Sequence, residues 1–227
     1  MFRVKICGIT NIPDARVAVE AGADAIGLNF YRASPRFCQI EQARTISQAV
    51  PQAVRKIGVF VNASPAEILA TFDAVGLDAV QLHGDEPPEL LRDLRGLAVI
   101  RAFRVGRDLS PIGGYLQACH RLACVPRMVL VDTLKPGQYG GTGALLDWGV
   151  LQENRRVFQG MPLVLAGGLK PSNVVAAIAA VRPWAVDTAS GVESGPGKKS
   201  ASLMREFVEA AQAGFMQLRA RKWGHDR

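Results

Sequence analysis

No run of apolar residues in this 227-residue chain approaches the length of a membrane span. No Pro-, Ser- or Gly-rich linker and no shift in composition divides it, so one domain is expected rather than two. Cysteine is scarce. Cys7, Cys38, Cys119 and Cys124 fall at irregular spacing, which does not read as a disulfide framework. Cys119-His120 with Cys124 lacks the second ligand pair that a zinc site needs, so no metal is expected. The first apolar strand begins at residue 2 and leaves no room for a signal peptide, and with the sparse thiols this points to a cytoplasmic protein. Basic residues interleaved with aromatics are also missing. The net charge of +7 comes in part from Arg219, Arg221, Lys222 and Arg227 near the end, facing only Asp226. No stripe emerges that would track a phosphate backbone, so no nucleic-acid partner is expected. A mildly basic surface can equally steer a small anionic substrate.

What is present is a large apolar fraction, 48%, enough to bury a sizeable core in a chain of this length. Short apolar strands are expected at 2–7, 25–30, 55–61, 78–82, 97–103, 127–132, 161–166 and 184–187, rich in Val, Ile, Leu and Ala. Amphipathic stretches separate them. Asn11-Ile12-Pro13-Asp14, Ser64-Pro65-Ala66-Glu67 and Lys170-Pro171-Ser172-Asn173 each read as a capped or Pro-bearing helix start. Helices are also expected at about 109–119 and 144–156.

A weak repeat supports the count. Gly22-Ala23-Asp24-Ala25-Ile26-Gly27-Leu28 and Gly76-Leu77-Asp78-Ala79-Val80-Gln81-Leu82 lie 54 residues apart, which suits two βα units. Each Gly would end a helix at positive φ and turn the chain into the next strand. Eight such units with right-handed crossovers close most simply into a single-domain α/β fold, a (β/α)₈ TIM barrel over residues 1–214. Residues 215–227 form a basic C-terminal extension, a helix end or tail. The alternative, a doubly wound open sheet, wants a GxGxxG after an early strand, and none is there.

In a barrel the site lies at the C-terminal strand ends. Those ends carry Cys7; Asn29 and the loop Tyr31-Arg32-Ala33-Ser34-Pro35-Arg36; Gln81 and His83; and Asp132-Thr133 with the loop Tyr139-Gly140-Gly141-Thr142-Gly143. The last two exits carry Gly167-Gly168 and Asp187-Thr188-Ala189-Ser190-Gly191. Each has a plainer reading. Cys7 could pack as a small hydrophobe. Asp132 and Asp187 could cap turns, His83 could be structural, and Arg36 could be a surface charge. The glycine-rich exits after strands seven and eight are more specific, because barrels bind phosphate there through backbone N–H groups. Gly167, Gly168, Ser190 and Gly191 are the candidates. Gly197-Lys198-Lys199-Ser200 fails as a P-loop, because Val192 occupies the first glycine position. A phosphorylated small molecule is expected as the ligand, without a nucleotide.

Several blocks in order carry a resemblance. They are Lys5-Ile6-Cys7-Gly8-Ile9-Thr10, Gly58-Val59-Phe60-Val61-Asn62 and Val80-Gln81-Leu82-His83-Gly84-Asp85-Glu86, then Val131-Asp132-Thr133 and Gly140-Gly141-Thr142-Gly143 with Asp147-Trp148. Ala166-Gly167-Gly168-Leu169 and Ser190-Gly191-Val192-Glu193 with Gly197-Lys198-Lys199 complete the set. The chain resembles the phosphoribosylanthranilate isomerase family over nearly its whole length. It departs at Ala189, where the family usually has a second serine, at Phe37-Cys38, and in a longer tail beyond Gly214.

The resemblance implies an Amadori rearrangement in tryptophan biosynthesis with no cofactor and no metal. Asp132 is then the acid that protonates the ribose ring oxygen, and Cys7 the base that takes the C2′ proton. Arg36 offers a bidentate fork to the anthranilate carboxylate. His83 and Asp187 are candidates for substrate hydroxyls or for support. The base must be a thiolate, present only about 3% of the time in an unperturbed cysteine at pH 7, so Lys5 or Arg36 is expected to favour it. A related isomerase of a histidine-pathway aminoaldose would carry aspartate in place of Cys7, and indole-forming barrels would want a strand-end lysine. A silent phosphate-binding barrel remains a further reading. The oligomeric state is left between monomer and homodimer.

Overall fold

In the computed structural model, residues 1–133 and 148–223 are described. Eight parallel strands form a closed barrel in chain order: β1 (Val4–Cys7), β2 (Ala25–Asn29), β3 (Arg55–Phe60), β4 (Ala79–Leu82), β5 (Val99–Val105), β6 (Met128–Thr133), β7 (Leu163–Leu165) and β8 (Ala185–Thr188). Closure is explicit, since β1 pairs with both β2 and β8. The open doubly wound sheet is thereby excluded. The helices are α1 (Ile12–Glu20), α2 (Ile40–Ala49), α3 (Pro65–Val75), α4 (Leu90–Asp93), α5 (Ser110–Arg121), α6 (Trp148–Glu153), α7 (Val174–Val181) and α8 (Ala201–Trp223).

The helix starts follow from local chemistry. Asn11 caps α1 by accepting from the Asp14 N–H at 2.8 Å. Ser64 and Glu67 form a reciprocal capping box on α3, and Gly76 ends that helix in the left-handed region. Strand β5 runs two residues past its expected end, because it stays in register with β6 as far as Val105 and Thr133. The expected helix at 144–156 is α6 followed by a 3₁₀ turn (Arg155–Phe158); residues 144–147 fall outside the described residues. Helix α8 continues unbroken past Gly214, and Phe215 is buried among the core side chains.

Strand alternation sorts the side chains into two sets. Outward positions such as Val4, Ile6, Ile26, Leu28, Val80, Leu82, Val129 and Val131 pack with Ile46, Ile68, Ile112, Ile178, Phe207 and other helix residues in the main core. Inward positions near the N-terminal ends fill the barrel floor with Phe2, Ala25, Ile57, Ala79, Ile100, Met128, Leu130, Val164 and Ala185. Two residues further along, three inward positions turn polar, with Gln81 after Ala79, Asp132 after Leu130 and Asp187 after Ala185, while β1 turns Lys5 and Cys7 inward. That change of chemistry marks where the core ends and the cleft begins. All four cysteines are buried free thiols. On α5, Cys119 points into the core while His120 is exposed, and Cys124 faces the Pro88 carbonyl at 3.6 Å.

Candidate active site

A cleft opens at the C-terminal strand ends. It is lined by Cys7, Arg36, His83, Asp132, Gly167, Gly168, Asp187 and Ser190, which brings together nearly all the residues expected from the sequence. Gly191, the next residue in the chain after Ser190, is not among the lining residues. The loop Tyr139-Gly140-Gly141-Thr142-Gly143 lies outside the described residues.

Cys7 and Lys5 both point into the barrel from β1. Lys5 is fully buried, and its Nζ lies 3.0 Å from each carboxylate oxygen of Asp187. The Cys7 thiol lies beside the same ammonium. Room for this arrangement comes from Gly27, the register partner of Cys7, since a Cβ there would stand 2.6 Å from Cys7 Sγ and 3.1 Å from Lys5 Nζ. Burial alone would lower the Lys5 pKa, but the Asp187 carboxylate and Cys7 outweigh it and raise it. Burial is also the largest influence on Cys7 and pushes its thiol up. Lys5 opposes the rise, Asp187 adds to it, and Lys199 opposes it. Lys5 thus favours the thiolate, as expected from the sequence, but desolvation outweighs it. Cys38 and Cys119, pushed up to about 11 by burial, are ordinary packing thiols.

His83 sits at the exit of β4. Its Nδ1 lies 2.9 Å from Gln81 Nε2, and its Nε2 is 3.4 Å from Asp132 Oδ2, outside hydrogen-bond geometry. With the Gln81 amide donating, the ring carries its proton on Nε2, the side of Asp132. The turn that holds His83 is pinned from below. Glu86 accepts from the N–H groups of Gly84 and Asn62 and pairs with buried Arg101 at 3.1 Å.

Arg36 is not a surface charge. It is buried, and its Nε and Nη2 fork onto Glu193 at 2.8 and 2.7 Å. The burial of Arg36 would lower its pKa, but the Glu193 contact raises it. Glu193 belongs to a small hairpin, β9 (Glu193–Gly195) and β10 (Lys198–Lys199), and Lys199 Nζ also binds it at 2.7 Å. Burial pushes the Glu193 carboxyl up, yet Arg36 and Lys199 hold it below the usual range. Lys199 is lowered because its burial outweighs Glu193. Residue-level reading of the sequence missed this cluster. The only trace was the run of Glu193 and Lys199 just beyond the eighth strand.

The two loops after β7 and β8 are tied together by Thr188 Oγ1, which donates to the Leu169 carbonyl at 2.7 Å. Gly167 and Gly168 both hold positive φ, a conformation that side chains disfavour. A Cβ on Gly191 would overlap the Leu169 carbonyl. The backbone here is therefore bare and closely spaced, as an anion cradle requires.

Comparison with known proteins agrees with the geometry. The family model described as "PRAI: N-(5'phosphoribosyl)anthranilate (PRA) isomerase" matches residues 4–210. The N-(5'-phosphoribosyl)anthranilate isomerase of Rubrobacter xylanophilus is 47% identical over 94% of this chain and 100% of its own. That of Geobacter sulfurreducens is 46% identical over 93% of this chain and 99% of its own. The crystal structure of the Thermotoga maritima phosphoribosyl anthranilate isomerase superposes with a TM-score of 0.83 at 45% identity, covering 94% of this chain and 100% of that one. A structure of a phosphoribosyl anthranilate isomerase in complex with reduced 1-(o-carboxyphenylamino)-1-deoxyribulose 5-phosphate superposes at 0.80 with 42% identity, covering 94% of this chain and 100% of that one. With a closed eight-stranded barrel and a thiol and a carboxylate at its mouth, this chain belongs to the N-(5'-phosphoribosyl)anthranilate isomerase family.

Proposed function

We propose that the chain is an aldose–ketose isomerase that converts N-(5-phosphoribosyl)anthranilate to 1-(2-carboxyphenylamino)-1-deoxyribulose 5-phosphate, without a cofactor. The observation that carries this reading is the cleft shared by Cys7 and Asp132, each at an inward-facing strand end. Protonated Asp132 gives its proton to the ribose ring oxygen as the C1′–O bond breaks, leaving a C1′=N iminium. The Cys7 thiolate then takes the C2′ proton, and the electron pair moves to form an enolamine. The enolamine ketonises by taking a proton at C1′ while the 2′-hydroxyl loses one.

The remaining residues bind. Arg36 keeps Nη1 for the anthranilate carboxylate, since its Nε edge is engaged by Glu193. His83 and Asp187 face the ribose hydroxyls. Backbone N–H groups of Gly167, Gly168, Ser190 and Gly191 receive the phosphate. The free thiols and the small phosphorylated substrate suit a cytoplasmic enzyme. A relative from Thermotoga maritima is described as dimeric, and sedimentation at micromolar concentration distinguishes monomer from homodimer here. No helix among the described residues is long and apolar enough to cross a membrane.

The test is turnover, followed as the loss of anthranilate fluorescence. Cys7→Ala and Asp132→Asn should each lower kcat by about 10²–10⁴, the usual worth of a general acid or base. Binding of the reduced product analogue should survive both. No turnover by the wild type would leave a silent phosphate-binding barrel as the better description, and near-wild-type turnover in both variants would take Cys7 and Asp132 out of the chemistry.

A further inference from the structure

Glu193 and Lys199 are almost wholly buried, with side-chain exposures of 3% and 0%, yet neither lines the cleft. Buried ions are costly unless paired, and well-packed apolar residues would serve a purely structural purpose at least as well. Their contacts indicate another purpose. Lys199 Nζ donates to the Ala189 carbonyl at 2.9 Å, next to Ser190 in the loop read above as half of the phosphate cradle. The same nitrogen binds Glu193 Oε1 at 2.7 Å, and both oxygens of Glu193 receive the Arg36 fork. One unbroken path therefore runs from the phosphate loop through a cation and a carboxylate to the guanidinium.

Arg36 has little freedom to answer to anything else. On its other flank, a Cβ on Gly8 would stand 2.5 Å from Arg36 Cδ, so the stem already fills that space. The Pro35 carbonyl closes on the hairpin in the same way, 2.6 Å from where a Gly197 Cβ would be. With its stem wedged and its Nε edge held, the direction of Nη1 follows from Glu193.

We infer that Glu193 and Lys199 are positioning residues, a strut that fixes the free edge of Arg36 relative to the phosphate loop and so selects substrates carrying a carboxylate and a phosphate at opposite ends. The inference rests on the reading of Arg36 as the carboxylate-binding residue. It adds that the spacing of the two anion subsites is set by a hairpin outside the barrel.

The experiment compares N-(5-phosphoribosyl)anthranilate with the aniline counterpart that lacks the carboxylate, measuring KM and kcat for each. Glu193→Gln should raise KM about tenfold for the carboxylated compound and less than about twofold for the other, a change of roughly 1.4 kcal/mol confined to one end of the substrate. Lys199→Met should give the same pattern in smaller measure, and Glu193→Asp should recover part of the loss. Equal rises for both compounds, or no rise for either, would overturn the strut. Arg36→Met, run alongside, separates the two levels of the argument. If it treats both compounds alike, the carboxylate contact itself is wrong and the strut falls with it. If it discriminates and Glu193→Gln does not, the strut alone falls. Should Glu193→Gln fail to fold, Lys199→Gln carries the same comparison.

Discussion

Lys5 Nζ stands 3.0 Å from both carboxylate oxygens of Asp187, its register partner across the seam between β1 and β8. The same buried ammonium is the strongest influence favouring the Cys7 thiolate, the form this thiol takes in the proposed mechanism. Asp187 anchors Lys5 and at the same time makes the thiolate harder to form.

Opposite pH shifts are expected from that arrangement. In the proposed mechanism the active form pairs a thiolate with a protonated carboxyl, and carboxyls as a class ionise below thiols. Activity therefore rises with pH below both ionisations and is level between them. It falls above the thiol's ionisation, where the thiolate is complete and protonated carboxyl is still being lost. Since burial raises Cys7, the alkaline fall in kcat/KM should begin above the ordinary cysteine value of about 8.5. Lys5→Met removes the nearest cation and should move that limb to higher pH. Asp187→Asn removes a carboxylate that raises the thiol and leaves Lys5 to Cys7, so it should move the limb to lower pH. Movement in the same direction in both variants would show that the limb does not belong to Cys7.

The proposed phosphate cradle predicts a selective loss. Inorganic phosphate should inhibit competitively at millimolar levels, because backbone donors alone hold such anions modestly. In Gly191→Ala the new methyl would overlap the Leu169 carbonyl and force apart two loops joined by the Thr188–Leu169 hydrogen bond. Inhibition by phosphate should weaken about tenfold or more, with KM rising in step. An unchanged phosphate inhibition constant in that variant would take the anion out of these loops.

Beneath His83 the prediction concerns stability. Arg101 is buried, donating to the Leu82, Ala102 and Gly84 carbonyls, with Glu86 as its carboxylate partner. Glu86→Ala strands that cation and leaves the Gly84 and Asn62 N–H groups without their acceptor. Breaking a buried pair in this way costs about 3–5 kcal/mol, which for a chain of this size lowers Tm by about 10 °C. Calorimetry or circular dichroism reads it directly. An unaltered Tm would mean that the network contributes nothing net to folding.

Much of this was legible in the sequence because a barrel converts strand periodicity into position. Once the strand ends are located, every second residue faces inward, and Cys7, His83, Asp132 and Asp187 fall on that face at the C-terminal end. The glycines after β7 and β8 could be read for the same reason. Arg36 was legible as a loop residue, but its burial was not, since that depends on Glu193, 157 residues along the chain. Arg101 is an outward strand residue whose charge gives no hint of the Glu86 beneath the turn. Periodicity reports which face a residue is on; it carries nothing about which distant loop folds over it.

The last prediction uses two glycines to separate packing from chemistry. Gly27 faces into the barrel, and its missing side chain leaves the space taken by Cys7 Sγ and Lys5 Nζ. The backbones cannot part easily, because the Gly8 and Ile9 N–H groups both donate to the Gly27 carbonyl, at 2.9 and 3.0 Å. In Gly27→Ala the thiol must therefore rotate away. Gly58 is equally tight on the outward face, where a Cβ would stand 2.5 Å from Leu77 Cδ1 and 2.8 Å from Phe60 Cε2. Both substitutions overpack a filled space and should cost about 1–3 kcal/mol of stability. Gly27→Ala alone should also lower kcat by about a hundredfold or more, because it displaces the proposed base, while Gly58→Ala should keep kcat within about threefold of wild type. Thermal melts and single-turnover fluorescence on the pair decide the matter. Comparable stability losses with comparable kcat in both variants would mean that the position of the Cys7 thiol does not govern the reaction.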